Sequence, residues 1–122
     1  MSKIKILIID DDRDILETTG SLLRYEGYDI YFSETVERGM EMIKEIFPDL
    51  ILLDIMFPEK KTLGFEASGE IKEKFPHIPV FVLTAINREY AFDFNIDDVK
   101  AEEFINKPVK TDNLVALIKK HI

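Results

Sequence analysis

Cysteine is missing altogether, which excludes disulfides and thiolate metal centres. Bases are scarce relative to acids: 16 Lys and Arg against 24 Asp and Glu leave a formal net charge of −8. A nucleic-acid surface needs clustered Lys and Arg, and docking on anionic lipid needs the same, so neither partner is expected. No apolar stretch approaches the roughly 20 residues that span a bilayer. The short apolar run near the start meets Asp10 too soon for a secretory signal. The expected setting is therefore the cytoplasm. Histidine is limited to His77 and His121, neither within a partner motif, and both read as surface residues. Repeats, low-complexity segments and linkers are absent as well. What remains is 122 residues, 46% of them hydrophobic, enough for one domain over residues 1–122 with a real core.

The apolar residues fall into five short runs. Ile4 to Ile9, Tyr28 to Phe32, Leu50 to Leu53, Val80 to Leu83 and Phe104-Ile105 read as strands. Between them the spacing turns helical. Ile15, Leu16, Thr19, Leu22 and Leu23 mark a first helix, with Gly27 as its cap. Val36, Met40, Ile43 and Phe47 mark a second, ended by Pro48. After a loop from Ile55 to about Gly64, a third holds Ile71 and Phe75 and ends before Pro76. A fourth runs from Asn87 to about Phe94, and Leu114, Leu117 and Ile118 mark the last, whose basic end suits the helix dipole. Alternating strands and helices predict an α/β fold, a doubly wound parallel sheet with helices on both faces. Right-handed crossovers favour the flavodoxin-like strand order 2-1-3-4-5 with five helices.

In such a sheet ligands bind at the carboxyl ends of the strands. The first strand ends in Asp10-Asp11-Asp12, the third in Asp54, the fourth in Thr84 and the fifth in Lys107. Clustered carboxylates repel one another and call for a cation. Oxygen ligands without Cys or His suit Mg²⁺, which commonly joins one or two carboxylates to a phosphate. A lysine and a hydroxyl at the rim would each hold a phosphate oxygen, so the set suits phosphoryl transfer.

Four motifs at these strand ends carry a resemblance over essentially the whole chain. They are Ile8-Ile9-Asp10-Asp11-Asp12, Leu52-Leu53-Asp54-Ile55-Met56-Phe57-Pro58, Leu83-Thr84-Ala85 and Phe104-Ile105-Asn106-Lys107-Pro108. The chain resembles the receiver domain of two-component response regulators, either stand-alone or isolated from a longer protein. The resemblance implies a phosphoacceptor switch rather than an enzyme. Asp54 would take the phosphoryl group from a histidine kinase or a histidine phosphotransfer protein. Asp11 and Asp54 would ligate Mg²⁺, with the Met56 backbone carbonyl, and Asp10 would help through water. Lys107 would pair with the phosphoryl group, and the Lys107–Pro108 bond would be cis. Thr84 would move to the phosphoryl oxygen and the aromatic Phe104 would follow, with small Ala85 leaving room. A downstream effector would read the fourth helix, fifth strand and last helix.

Each residue alone has a blander role: Asp10 and Asp11 as helix N-terminal acids, Thr84 as a strand end, Lys107 as a surface charge, Phe104 as core. Their order along the chain overrides these. Asp12 stays a capping residue. Two departures from the family pattern stand out. Gly64 lies ten residues after Asp54 where about eight is usual, which lengthens the loop at Glu59 to Leu63. Lys100-Ala101 replaces the usual Gly-Ala before the fifth strand. Three other functions are weaker. A phosphohydrolase built on Asp10 and Asp12 would leave Asp54 unexplained. A flavin module would not open on three aspartates. A receiver that no longer accepts phosphate would not keep the whole pocket.

Overall fold

The computed structural model describes residues 3–54, 63–84, 101–107 and 109–122. Five strands alternate with helices: β1 (Lys5–Ile9), α1 (Arg13–Tyr25), β2 (Asp29–Ser33), α2 (Val36–Ile46), β3 (Leu50–Asp54), α3 (Leu63–Lys74), β4 (Val80–Thr84), β5 (Glu103–Asn106) and α4 (Thr111–His121). The strands form one parallel sheet in the order β2-β1-β3-β4-β5, as expected. Four helices fall among the described residues; the helix expected from Asn87 to Phe94 lies outside them. No helix among the described residues is long and apolar enough to cross a membrane.

The strands are short apolar runs because both faces of the sheet are covered. Alternation sends Leu7, Ile9, Ile51, Leu53, Val80 and Val82 to the side of α2 and α3. It sends Ile6, Ile8, Leu50, Leu52, Phe81, Leu83 and Ile105 to the side of α1 and α4. Helix ends follow their local chemistry. Asp12 caps α1 by accepting the Asp14 and Ile15 amides, as its position predicts. Gly27 takes φ +99° just past that helix, where a side chain would be strained. Thr35 caps α2, and Phe47 ends it in the left-handed region at φ 49°, ahead of Pro48. The third helix starts at Leu63, so Gly64 sits in its first turn instead of closing the preceding loop. Phe75 lies just past Lys74, yet its amide still bonds to the Ile71 carbonyl at 2.7 Å.

The amino ends of the strands are tied down by polar pairs. Lys5 and Asp49 exchange two bonds of 2.8 Å, one to the Asp49 carboxylate and one from its amide to the Lys5 carbonyl. Lys72 donates to the Pro76 and Ile78 carbonyls and pairs with Glu102, which in turn accepts the Val80 amide at 3.0 Å. The Lys72–Glu102 pair spans 30 residues.

Close packing at one glycine brings α2 onto β1. A Cβ added at Gly39 would lie 2.5 Å from Ile9 Cδ1 and 2.8 Å from its Cγ1. Ile9 is fully buried among the core side chains of this face. Overpacking costs about 1–3 kcal/mol, against about 1 kcal/mol gained in helix propensity. Gly39→Ala is therefore expected to lose up to about 2 kcal/mol, seen as a lower urea midpoint at constant slope. A midpoint at or above the parent's would refute the tight contact.

Candidate metal centre at the strand ends

Parallel register brings the functional side chains to one rim. Ile9 pairs with Leu53, so Asp10 and Asp54 are the next residues on adjacent strands. Asp10 continues the Ile6–Ile8 face and Asp54 the Leu50–Leu52 face. Ile105 lies on that face too, and Lys107 is two residues beyond it. Lys107 Nζ sits 3.1 Å from Asp10 Oδ2 and 3.3 Å from Asp54 Oδ1. Asp10, Asp11 and Asp54 each place a carboxylate oxygen within 4.8 Å of the other two. Asp10 and Asp54 are 0% and 2% exposed, whereas Asp11 faces solvent.

The two oxygens of Asp10 differ. Oδ1 accepts the Asp12 amide at 2.9 Å. Oδ2 is buried without a hydrogen bond. The Lys107 ammonium is at ion-pair distance from it but is not aligned as a donor. Burial raises the Asp10 carboxyl above its usual range, the Asp12 amide and Lys107 opposing this and Asp11 adding to it. Burial pulls Lys107 the other way, yet the charges of Asp54 and Asp10 overcome it and leave the ammonium above its ordinary value. One lysine thus does not satisfy the acids around it. An orphaned buried carboxylate oxygen, two further carboxylates within reach and no soft ligand fit a hard divalent cation such as Mg²⁺.

The sign of the Asp10 shift gives a test. Its folded value exceeds its unfolded one, so its penalty is absent at low pH and grows as pH rises through the ordinary Asp range. Asp10→Asn is expected to stabilise the protein in EDTA near neutral pH by about 0.5–2 kcal/mol. The same variant should lose most of the Tm gain that millimolar Mg²⁺ gives the parent, a gain set by mass action. Destabilisation in EDTA, or an undiminished Mg²⁺ response, would count against the site.

The remaining predicted residues are distributed as follows. Thr84 is the last residue of β4 and pairs in register with Asn106. Phe104 is on β5 and 41% exposed, so it is not core. Met56, Ala85 and Pro108, with the loop at 59–62 and Lys100, lie outside the described residues. His77 is exposed as expected. His121 is not a free surface residue: it is 21% exposed, its Nε2 lies 2.9 Å from Glu103 Oε2, and its ring meets Phe81 edge-on at 5.3 Å. The last turn of α4 brings it over β5, a tertiary contact that no local motif announces. The His121 hydrogen bond, with Lys120 beside it, holds the Glu103 carboxyl below its usual range. Sequence reasoning also missed the Lys72–Glu102 pair, whose partners are too far apart in the chain to be matched by spacing.

A family model described as response regulator receiver domain matches residues 6–119. Among solved structures, a receiver domain protein (CheY-like) from Methanospirillum hungatei JF-1 is similar at 30% identity and a TM-score of 0.83, covering 98% of this chain and 93% of its own. The response regulator TrrA from Thermotoga maritima, solved in complex with Mg(2+)-BeF, is 31% identical with a TM-score of 0.81, over 98% of this chain and 99% of its own. NtrX from Brucella abortus is 26% identical with a TM-score of 0.83 over 98% of this chain, which spans only 27% of NtrX.

Proposed function

The chain belongs to the response regulator receiver domains of two-component systems, and from that premise we propose that it stores a phosphoryl group on Asp54 as a signal. The carboxylate attacks phosphorus of a phosphohistidine on a histidine kinase or a histidine phosphotransfer protein. An O–P bond forms at Asp54 as the P–N bond breaks, and the histidine leaves with a proton. The observation that carries this reading is the placement of Lys107 Nζ 3.3 Å from Asp54 Oδ1 and 3.1 Å from Asp10 Oδ2. A cation already seated beside the nucleophile can follow the negative charge onto the new phosphoryl oxygens.

Asp11 and Asp54 would hold Mg²⁺ directly, with the Met56 carbonyl, and Asp10 through water. When bound, the ion supplies charge neutralisation for the phosphoryl oxygens. Thr84 gives its hydroxyl to another of those oxygens, and Phe104 follows it. The population then shifts to the conformer that an effector recognises. That effector binds through the segment 87–94, β5 and α4. The whole of residues 1–122 acts as one receiver domain in the cytoplasm, with neither nucleic acid nor membrane as partner. Asp12 is engaged as the cap of α1, which favours the switch over a hydrolase built on Asp10 and Asp12.

Incubation with a small phosphodonor and Mg²⁺ tests this. One phosphoryl group should appear by mass, map to Asp54 after trapping, and fail to appear in EDTA. Label on Asp10, or none anywhere, would end the proposal. Lifetime is a second readout. Met56 and Ile86 stand two residues past Asp54 and Thr84 in sequence, outside the described residues, and neither can orient a water. Slow self-dephosphorylation is expected; a phosphoprotein lifetime of seconds would contradict it.

A further inference from the structure

Lys107 reaches the two acids from the end of an edge strand whose own residues specify its register weakly. β5 has four residues and pairs only with β4. Ile105 is its one buried residue, and Phe104 on the opposite face is exposed. A slip of one residue turns every side chain of a strand to the other face. Moved one place towards the carboxyl ends, β5 would set Phe104 beside Leu83, the present partner of Ile105. An apolar side chain would still fill the buried place, so burial alone does not forbid this slip. Lys107 would travel about 3.3 Å outwards and turn to the other face.

Glu102 stands against that slip. Its amide donates to the Val80 carbonyl at 2.9 Å, and its carboxylate Oε2 accepts the Val80 amide at 3.0 Å. Both backbone groups of Val80 are thus engaged by a single residue. Val80 is fully buried, so its amide needs that acceptor. Lys72 aims the carboxylate from α3: it pairs with Oε1 and is itself fixed by the Pro76 and Ile78 carbonyls. His121 also holds β5, at Glu103, but ties it to α4 and not to β4.

We propose that Glu102, aimed by Lys72, is a positioning residue for Lys107: its two-point hold on Val80 sets the register of β5, and with it the reach of Lys107 to Asp10 and Asp54. The consequence for phosphorylation rests on the reading of Asp54 as phosphoacceptor; the consequence for register does not. The hold lies at the opposite end of the strand from the chemistry and touches none of the reacting atoms.

The test uses the full chain and two variants. Glu102→Leu removes the acceptor, and the milder Lys72→Met leaves the carboxylate unaimed. NMR reads the register from cross-strand contacts between β4 and β5, and a small phosphodonor with Mg²⁺ reads the rate. A thermal melt first sets a temperature at which each variant is folded. Glu102→Leu should show contacts between Leu83 and Phe104 and take up the phosphoryl group about ten- to a hundredfold more slowly, since a misplacement of about 1 Å can cost 10²-fold. Lys72→Met should show the same contacts beside those of the parent, with a smaller loss of rate, and decides the matter if Glu102→Leu does not fold. A merely structural role would lower the melting temperature and leave contacts and rate as in the parent. Parent-like contacts in the folded variants overturn the positioning role, as does a slipped strand with an unchanged rate. If the parent itself takes up no phosphoryl group, the reading of Asp54 fails, and the contacts alone decide whether Glu102 sets the register.

Discussion

Asp54→Asn takes up no phosphoryl group from a small donor in Mg²⁺, while the parent chain takes up one. Asparagine keeps the shape of the side chain, so β3 and its pairing to Leu83 survive. It loses the charged oxygen that, on the proposed reading, attacks phosphorus, and removing a nucleophile costs at least about 10³-fold in rate. The substitution also removes one of the two carboxylates on Lys107, leaving the lysine to Asp10 alone. Secondary structure and melting should therefore stay close to the parent's in EDTA, so that loss of phosphorylation is not mistaken for unfolding. Phosphoryl mass on the Asn variant would mean that another residue is the acceptor.

Lys107→Met has the opposite profile, a large loss of stability in the absence of metal. Two carboxylates, 0% and 2% exposed, would face each other with their cation gone. Breaking a buried pair by removing one partner costs about 3–5 kcal/mol, and two acids share this one. A loss of about 3 kcal/mol is expected in EDTA near neutral pH. The Lys107 ammonium sits above its ordinary value when folded. Its contribution is thus complete below the ordinary Lys range and is lost as pH rises from there through the folded value. The deficit of the Met variant should shrink in Mg²⁺, which replaces the missing charge, and should shrink as pH falls through the Asp range, where protons do. Urea unfolding with and without Mg²⁺, near neutral and at mildly acid pH, measures both. A deficit indifferent to metal and pH would show that Lys107 matters for packing and not for charge.

The sheet was legible in the sequence because its strands are buried on both faces. A run such as Leu50-Ile51-Leu52-Leu53 has few other uses, and its neighbours carry helical spacing. The ends of those runs then fixed which polar residues share a rim, and Asp10, Asp54 and Lys107 do meet there. Pairings made across the fold were not legible. His121 reaches Glu103 and Phe81 only because α4 packs back over β5. Lys72 finds Glu102 only once β4 and β5 are aligned. Phe104 was ambiguous for a related reason: alternation gives its face, but not whether that face is covered.

The two rims of the sheet are finished very differently. Where the strands begin, Lys5 with Asp49 and Lys72 with Glu102 close off backbone groups, and the second pair also matches its charges. Where they end, a buried carboxylate oxygen lacks a donor and one lysine is shared between two acids. The molecule is in effect riveted along one border and left electrically unfinished along the other. On the proposed reading, an incoming ion or phosphoryl group acts at the unfinished border, while the riveted one keeps the strands in register.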